Sequence, residues 1–472
     1  MERGIRQITG GHILEVLFPI HDDGLPFLSL SLGPAVNTDQ GCCRSGSAWT
    51  YDEQTGEYYL HLFAREQPDL NWENPRVRAA VHEIVRYWLE HGADGFRMDV
   101  INFISKDQSF PDAPFTNLDS PWQSGKEFYA AGPRLHEYLA GIGKILKEYD
   151  AFSVGEMLDV EDPAEILKAV GHDREEINMA FHFEIVNLDH GATDKFGPRE
   201  WGLGEIKAIV TKWQQFMHDN NGWNALYLEN HDQGRSVSRF GSDRPEFREL
   251  SAKMLATLLG TQSGTVFIYQ GQELGMPNVP PDWPFENYRD IETLNHWKEL
   301  TSSHPEDTDL HQRALAEYRL KSRDNSRTPM QWDDSPNAGF STAEPWIPLH
   351  RDYATLNAAL QAKDPASVYS YWSAIFNLRK QYADILVYGS FRLIDAQNPT
   401  VFAFVRSGAV TSQQALVVLN FGPHAVSWTL PKNVLLGAGH VILSNCPARI
   451  GTKLIEPASV SLGAFEALIC LN

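Results

Sequence analysis

The sequence predicts an α/β fold of the (β/α)8 TIM-barrel type followed by a C-terminal antiparallel β domain. Three observations carry that expectation. Helical apolar patterns alternate with short, largely apolar strand-like runs along most of the chain. Three of those runs, GFRMDV (Gly95 to Val100), SVGEM (Ser153 to Met157) and LENHDQGR (Leu228 to Arg235), carry a carboxylate just past the apolar stretch. From about residue 387 the texture changes to closely spaced strands separated by turn residues. Parallel strands that each end in an acid are how a barrel of this type gathers carboxylates at its C-terminal face.

Residues 1–46 stand apart, being Gly- and Pro-punctuated and weakly periodic, with no convincing strand–helix alternation. Patterned, aromatic-rich sequence begins at Ser47. The segment Asn74 to His91 predicts a helix. Asn74 suits the cap and Pro75 the first helical position, and Gly92 suits the end. Val77, Ala80, Val81, Ile84, Val85, Trp88 and Leu89 recur on one face. The GFRMDV strand follows at once, which makes one αβ unit.

The unit repeats. Leu135, Leu139, Ile142 and Leu146 mark a helix that runs into a strand over Phe152 to Gly155. Ile206, Ile209, Val210, Trp213 and Phe216 mark another, leading through a turn at Asp219 to Gly222 into a strand over Trp223 to Leu228. Met254, Leu255, Leu258 and Leu259 precede a strand over Gly264 to Tyr269. Pro277 to Asp290 is too Pro-rich for regular structure and is expected to shape a pocket rim. A last barrel helix is expected over Pro365 to Gln381, then strands at Ser390 to Ile394, Val401 to Val405, Ala415 to Asn420 and Ala425 to Leu430.

With a formal net charge of −21, the chain is poorly suited to nucleic acid or anionic lipid, whereas a neutral sugar meets no such penalty. No apolar run is long enough to span a membrane, and no signal peptide is evident after Arg3 and Arg6, so a cytoplasmic location is expected. Cys42, Cys43, Cys446 and Cys470 show no metal-ligand spacing. The 13 Trp, 16 Tyr and 24 Phe are mostly core material, although sugar pockets also use aromatic faces.

A lone Asp after an apolar strand is usually a turn former, and a lone Glu after Gly is usually solvated. Three acids at successive strand ends are another matter. Cleavage of a glycosidic bond with retention needs a carboxylate nucleophile and a protonated acid about 5–5.5 Å apart. Arg97, on the same strand face as Asp99, is placed to keep that carboxylate ionised. The small, apolar approach of Val154 and Gly155 is expected to desolvate Glu156 and favour its protonated form. Asp232 could hold two sugar hydroxyls, with His231 donating a further hydrogen bond.

At these residues the chain resembles the α-amylase superfamily, glycoside hydrolase family 13, and within it the oligo-1,6-glucosidase/maltase branch. The matching stretches are QPDLNW (Gln67 to Trp72), GFRMDV, VGEM, ENHD, RDNSRTPMQW (Arg323 to Trp332) and PNAGF (Pro336 to Phe340). The resemblance covers residues 47–472. It implies Asp99 as nucleophile, Glu156 as general acid/base and Asp232 as transition-state stabiliser. It further implies that Arg97 and His231 contact the sugar at the cleaved end and that Arg323 holds the terminal glucose. Phe63 and Gln67 would line the pocket, and Glu292 would sit at the adjoining subsite. Val100 goes with α-1,6 preference in this branch, where Thr or Ala goes with α-1,4. The substrate implied is a short oligosaccharide with a terminal α-1,6-linked glucose; α-1,4 hydrolysis is the alternative. A non-catalytic relative, such as the heavy subunit of an amino-acid transporter, is disfavoured by the retained acids.

The resemblance also implies an N-terminally truncated catalytic barrel. The family's first three strands, its DLVVNH-like segment, a pocket Tyr and the loop that often binds calcium find no match in residues 1–46. No metal or other cofactor is therefore expected, and a catalytically impaired fragment is a further reading. The expected domains are an atypical segment (1–46), a remnant of an inserted domain (47–72), an incomplete barrel (73–386) and a C-terminal β domain (387–472).

Overall fold

The computed structural model describes residues 13–15, 30–31, 47–115, 122–160, 162–191, 195–431, 439–454 and 459–472. It divides into two compact units, Met1–Phe183 with Asn220–Trp223, and Glu184–Asp219 with Asn224–Asn472.

The first unit is organised by the helix Pro75–Glu90 and the strand that follows it. The Asn74 side chain accepts the N–H of Arg76, Pro75 occupies the first turn, and Gly92 takes φ +95°, a backbone that only glycine adopts readily. Val77, Val81, Val85 and Leu89 form the buried stripe. The stripe is narrower than expected. Ala80 and Trp88 are exposed, because an i, i+4 row suffices for the contact this helix makes.

Strands β1 (Ile13–Glu15), β2 (Leu30–Ser31), β3 (Trp49–Asp52) and β4 (Glu57–Leu60) precede β5 (Gly95–Met98), β6 (Phe152–Glu156) and β7 (Met179–Phe181). A parallel sheet runs in the order β1-β5-β6-β7, and β2-β4-β3 form a small antiparallel sheet. β1 and β2 lie where the sequence shows no strand texture. β1 is three residues long and is defined by its pairing of Ile13, Leu14 and Glu15 with Gly95, Phe96 and Arg97. Helices Leu135–Glu148 and Pro163–Val170 separate the later strands.

In the second unit the expected strands shrink to a two-residue parallel ladder, β8 (Ala225–Leu226) with β9 (Thr265–Val266). Helices Leu203–Asp219 and Arg248–Gly260 precede them. Pro277 to Asp290 has one 3-10 turn, Phe285–Asn287, and buries Val279, Trp283 and Tyr288 with Phe196, Tyr318 and Ile347. Helices Ile291–Ser303 and Thr308–Lys321 follow, and Val368–Gln381 is the expected late helix, capped by Ser367.

The C-terminal strands are β10 (Ser390–Ile394), β11 (Val401–Ser407), β12 (Gln414–Asn420), β13 (Val426–Thr429), β14 (Gly439–Ser444), β15 (Lys453–Leu454), β16 (Ser459–Leu462) and β17 (Ala467–Leu471). All their pairings are antiparallel, in the order β10-β11-β12-β17-β14-β15 with β13-β16 alongside as a separate ladder. Val401, Ala403, Val405, Leu416, Val418 and Trp428 belong to their core, the inward positions of a period-two pattern. No helix among the described residues is long and apolar enough to cross a membrane.

Candidate active site

In the first unit the sheet register sets the geometry of two acids. Met98 of β5 pairs with Gly155 of β6, so Asp99, one residue past the end of β5, and Glu156, the last residue of β6, are level. Neighbouring parallel strands lie about 4.8 Å apart. Arg97 bridges both acids. Its Nη1 donates to Asp99 Oδ1 at 2.6 Å, and its Nη2 forms an ion pair with Glu156 Oε1. The Asp99 side chain is 42% exposed and that of Glu156 is 7% exposed. Glu156 is thus buried as expected, but its surroundings are not only apolar: a guanidinium meets it.

Phe63 and Val100 pack against one apolar cluster that includes Trp49, Leu60, Leu62, Phe103 and Tyr129. The Phe63 ring stacks on Phe103 with centroids 6.4 Å apart. Gln67 is exposed, and its side-chain oxygen accepts the Ala64 N–H at 3.2 Å, closing its own turn.

In the second unit the chain leaves β8 and turns through Glu229 to Asp232. Glu229 and Arg235 form a fully buried ion pair at 3.2 Å. Glu229 also accepts the Ser236 N–H at 2.5 Å, and Arg235 donates to the carbonyls of Gln270 (2.6 Å) and Ser326 (3.3 Å). The turn that presents Asp232 is thereby fastened to the segment containing RDNSRTPMQW. From that segment Arg327 donates to Asp232 Oδ1 at 2.6 Å and to the His231 carbonyl at 2.9 Å. Arg323 lies 3.5 Å from Asp232 Oδ1 and 3.8 Å from Glu292 Oε2, and Lys195 is ion-paired with the same Glu292 oxygen. His231 Nε2 is 3.7 Å from Asp232 Oδ2, too far for a hydrogen bond.

Burial pushes the Asp232 carboxyl up, but the charges of Arg323, His231 and Arg327, with the Arg327 hydrogen bond, more than offset it. They hold the carboxyl below the usual carboxylate range. An ionised Asp232 flanked by two guanidinium groups suits electrostatic stabilisation of a developing positive charge.

The structure thus brings together Arg97, Asp99 and Glu156 in one unit, and His231, Asp232, Arg323 and Glu292 in the other. Arg327 and Lys195 were missed from sequence. Arg327 had a signal, since it stands four residues after Arg323 within one motif and shares its helical face. Lys195 had none. Among the described residues no group of three or more His, Cys, Asp or Glu side chains is arranged to hold a metal ion.

Comparison with known proteins adds independent weight. Residues 37–389 match the α-amylase catalytic domain. The chain is 48% identical over 402 residues to an α-glucosidase of Schizosaccharomyces pombe, spanning 84% of this chain and 69% of that one. It is 46% identical over 427 residues to an oligo-1,6-glucosidase of Parageobacillus thermoglucosidasius, spanning 90% and 73%. Among solved structures, a trehalose-6-phosphate hydrolase of Bacillus licheniformis superimposes with a TM-score of 0.85 at 35% identity, covering 94% of this chain and 78% of that one. An isomaltulose synthase of Erwinia rhapontici gives 0.82 at 38% identity, covering 90% and 74%. Level acids at the ends of adjacent parallel strands, an ionised aspartate past a later strand and a matched domain of this extent together mean that the chain belongs to the α-amylase family of glycoside hydrolases.

Proposed function

We propose that this glycoside hydrolase is a retaining, exo-acting α-glucosidase that removes terminal α-1,6-linked glucose from short oligosaccharides. The observation that carries the reading is the Arg97 bracket across two acids level at the ends of β5 and β6. Their strand spacing suits the roughly 5–5.5 Å of a double-displacement glycosidase rather than the wider gap of an inverting one.

In the first step an Asp99 oxygen attacks the anomeric carbon as the glycosidic C–O bond breaks. The bonding pair goes to the leaving oxygen, which takes the proton of Glu156. In the second step water attacks the same carbon, Glu156 takes its proton, and Asp99 leaves with the bonding pair. The resemblance assigns Asp232, held ionised by the two arginines, the role of transition-state stabiliser. Arg323 would hold the terminal glucose, and Glu292 would serve the next subsite, with Phe63 and Gln67 on the pocket wall.

Asp99→Asn should abolish turnover of isomaltose while leaving the thermal melt unchanged. Ordinary turnover in that variant would remove the reading.

The S. pombe relative is an α-glucosidase by name, without a linkage, and α-1,4 hydrolysis is the second reading. Comparing isomaltose and maltose rates separates the two. Val100→Thr should move their ratio toward maltose by a factor set by about 1–3 kcal/mol, and an unmoved ratio would deprive Val100 of its selecting role.

A further inference from the structure

The segment after Asp99 has a conformation that the roles above do not use. Val100 takes φ 35° and ψ 42°, the left-handed region that a β-branched side chain rarely enters. Such a backbone survives only where its surroundings over-determine it. Three contacts do so here. The Phe103 N–H donates to the Val100 carbonyl at 2.9 Å, opening the 3-10 turn Ile101–Phe103. Ile101 lies hard against β6, so that a Cβ on Gly155 would come within 2.7 Å of its Cγ2. Asn102 is completely buried, and its Nδ2 donates to the Leu158 carbonyl at 2.7 Å.

Leu158 is two residues beyond Glu156, and Asn102 is three beyond Asp99. The one side-chain bond therefore joins the turn after one acid to the loop after the other. Both ends of this link are themselves held. The Asn102 carbonyl accepts the Ala131 N–H at 2.9 Å, and Met157 donates its N–H to Phe181 of the next strand at 3.2 Å. The Asn102 Oδ1 is buried with no hydrogen-bond partner among the described residues. A buried amide with one end unsatisfied is a poorer packing unit than an apolar side chain of the same shape. Its presence is explained by the bond its other end makes.

We propose that Asn102 is a positioning residue that fixes the separation of Asp99 and Glu156, with the left-handed Val100 as the bend that delivers it to Leu158. The proposal rests on the nucleophile and acid/base roles given above. Arg97 draws the two carboxylates toward one guanidinium, while Asn102 holds the two backbones at the spacing the strands impose. Loosening the tie leaves the nucleophile in place but moves the acid relative to the leaving oxygen. The loss then falls on substrates whose leaving group needs a proton.

The test uses the full chain with Asn102→Leu, which matches the shape and cannot donate, and Asn102→Ser as a second variant should the first fail to fold. Turnover of isomaltose should fall by about 100-fold, the cost of a misplacement near 1 Å. Turnover of 2,4-dinitrophenyl α-glucoside, whose leaving group departs without a proton, should change by less than about threefold in its first step. Equal losses on the two substrates, or none on either, overturn the proposal. Hydrogen exchange gives a readout that needs no activity: amides in 99–103 and 156–160 should both exchange faster in the variants. Faster exchange in one segment alone, or in neither, also overturns it. Full isomaltose turnover by Asp99→Asn would instead remove the assigned roles, and the exchange result would still judge the tie.

Discussion

Asp99 and Asp232 both stand beyond parallel strands, but they are held by different means. Asp99 follows its strand directly, and its spacing from Glu156 is inherited from the pairing of Met98 with Gly155. Asp232 lies several residues beyond β8, on a turn whose position comes from a side-chain network: Glu229, Arg235, Arg327 and the carbonyls of Gln270 and Ser326. Main-chain register is set by every ladder bond at once, so the strands stay paired when one side chain is lost, even where a contact such as the Asn102 tie refines the spacing beyond them. A network of few buried charges is only as firm as its weakest member. The second acid should therefore be the more fragile in folding, and the first the more sensitive in chemistry.

The largest expected effect breaks the network. Glu229→Gln leaves the Arg235 guanidinium buried without its counter-charge and should lower stability by about 3–5 kcal/mol. Chemical denaturation measures this directly, and a loss under about 1 kcal/mol would show that the turn does not depend on the pair. Next comes Arg97→Met, which leaves the strands paired but removes the shared cation. We expect kcat/KM to drop by about 10²- to 10³-fold with little change in melting temperature. Activity close to that of the parent would mean that register alone organises the two acids.

The smallest effect sharpens the comparison through pH. The Asp232 carboxyl is depressed, so it remains ionised as pH falls, until its own lowered pKa is reached. Arg327→Gln removes one cation and one hydrogen bond, so the carboxyl rises and protonates earlier. The acidic limb of the activity profile should move to higher pH. The stability contributed by Asp232 follows the same sign. It is present above the unfolded carboxylate range, is lost as pH falls through the folded pKa, and in the variant is lost at higher pH. An unshifted acidic limb would assign that limb to another group.

What could be read from sequence divides along the same line. Asn74, Pro75 and Gly92 announced their helix because capping is local chemistry. The three acids were visible because each follows an apolar run, and the strands at Ser390–Ile394, Val401–Ser407 and Gln414–Asn420 are short apolar runs set off by turn residues. β1 was not visible, since three residues of ordinary texture become a strand only through a partner some eighty residues away. Trp223 to Leu228 and Gly264 to Tyr269 read as longer strands than they are, because apolar character marks burial, not pairing. Arg327 stands inside its motif, but nothing in the sequence says that it reaches back to His231 and Asp232. Asn102 and Leu158 were invisible for the same reason: their bond spans two loops.

The left-handed backbone at Val100 bears on any attempt to redirect this catalyst to another linkage by saturation at that position. Glycine and asparagine would be favoured there for conformational ease alone, whatever they do to substrate choice. A library scored only on survival would drift toward those two and mistake relief of torsion for altered selectivity. Threonine keeps the branched carbon and changes only polarity, so it is the substitution whose outcome reads on recognition rather than on main-chain comfort.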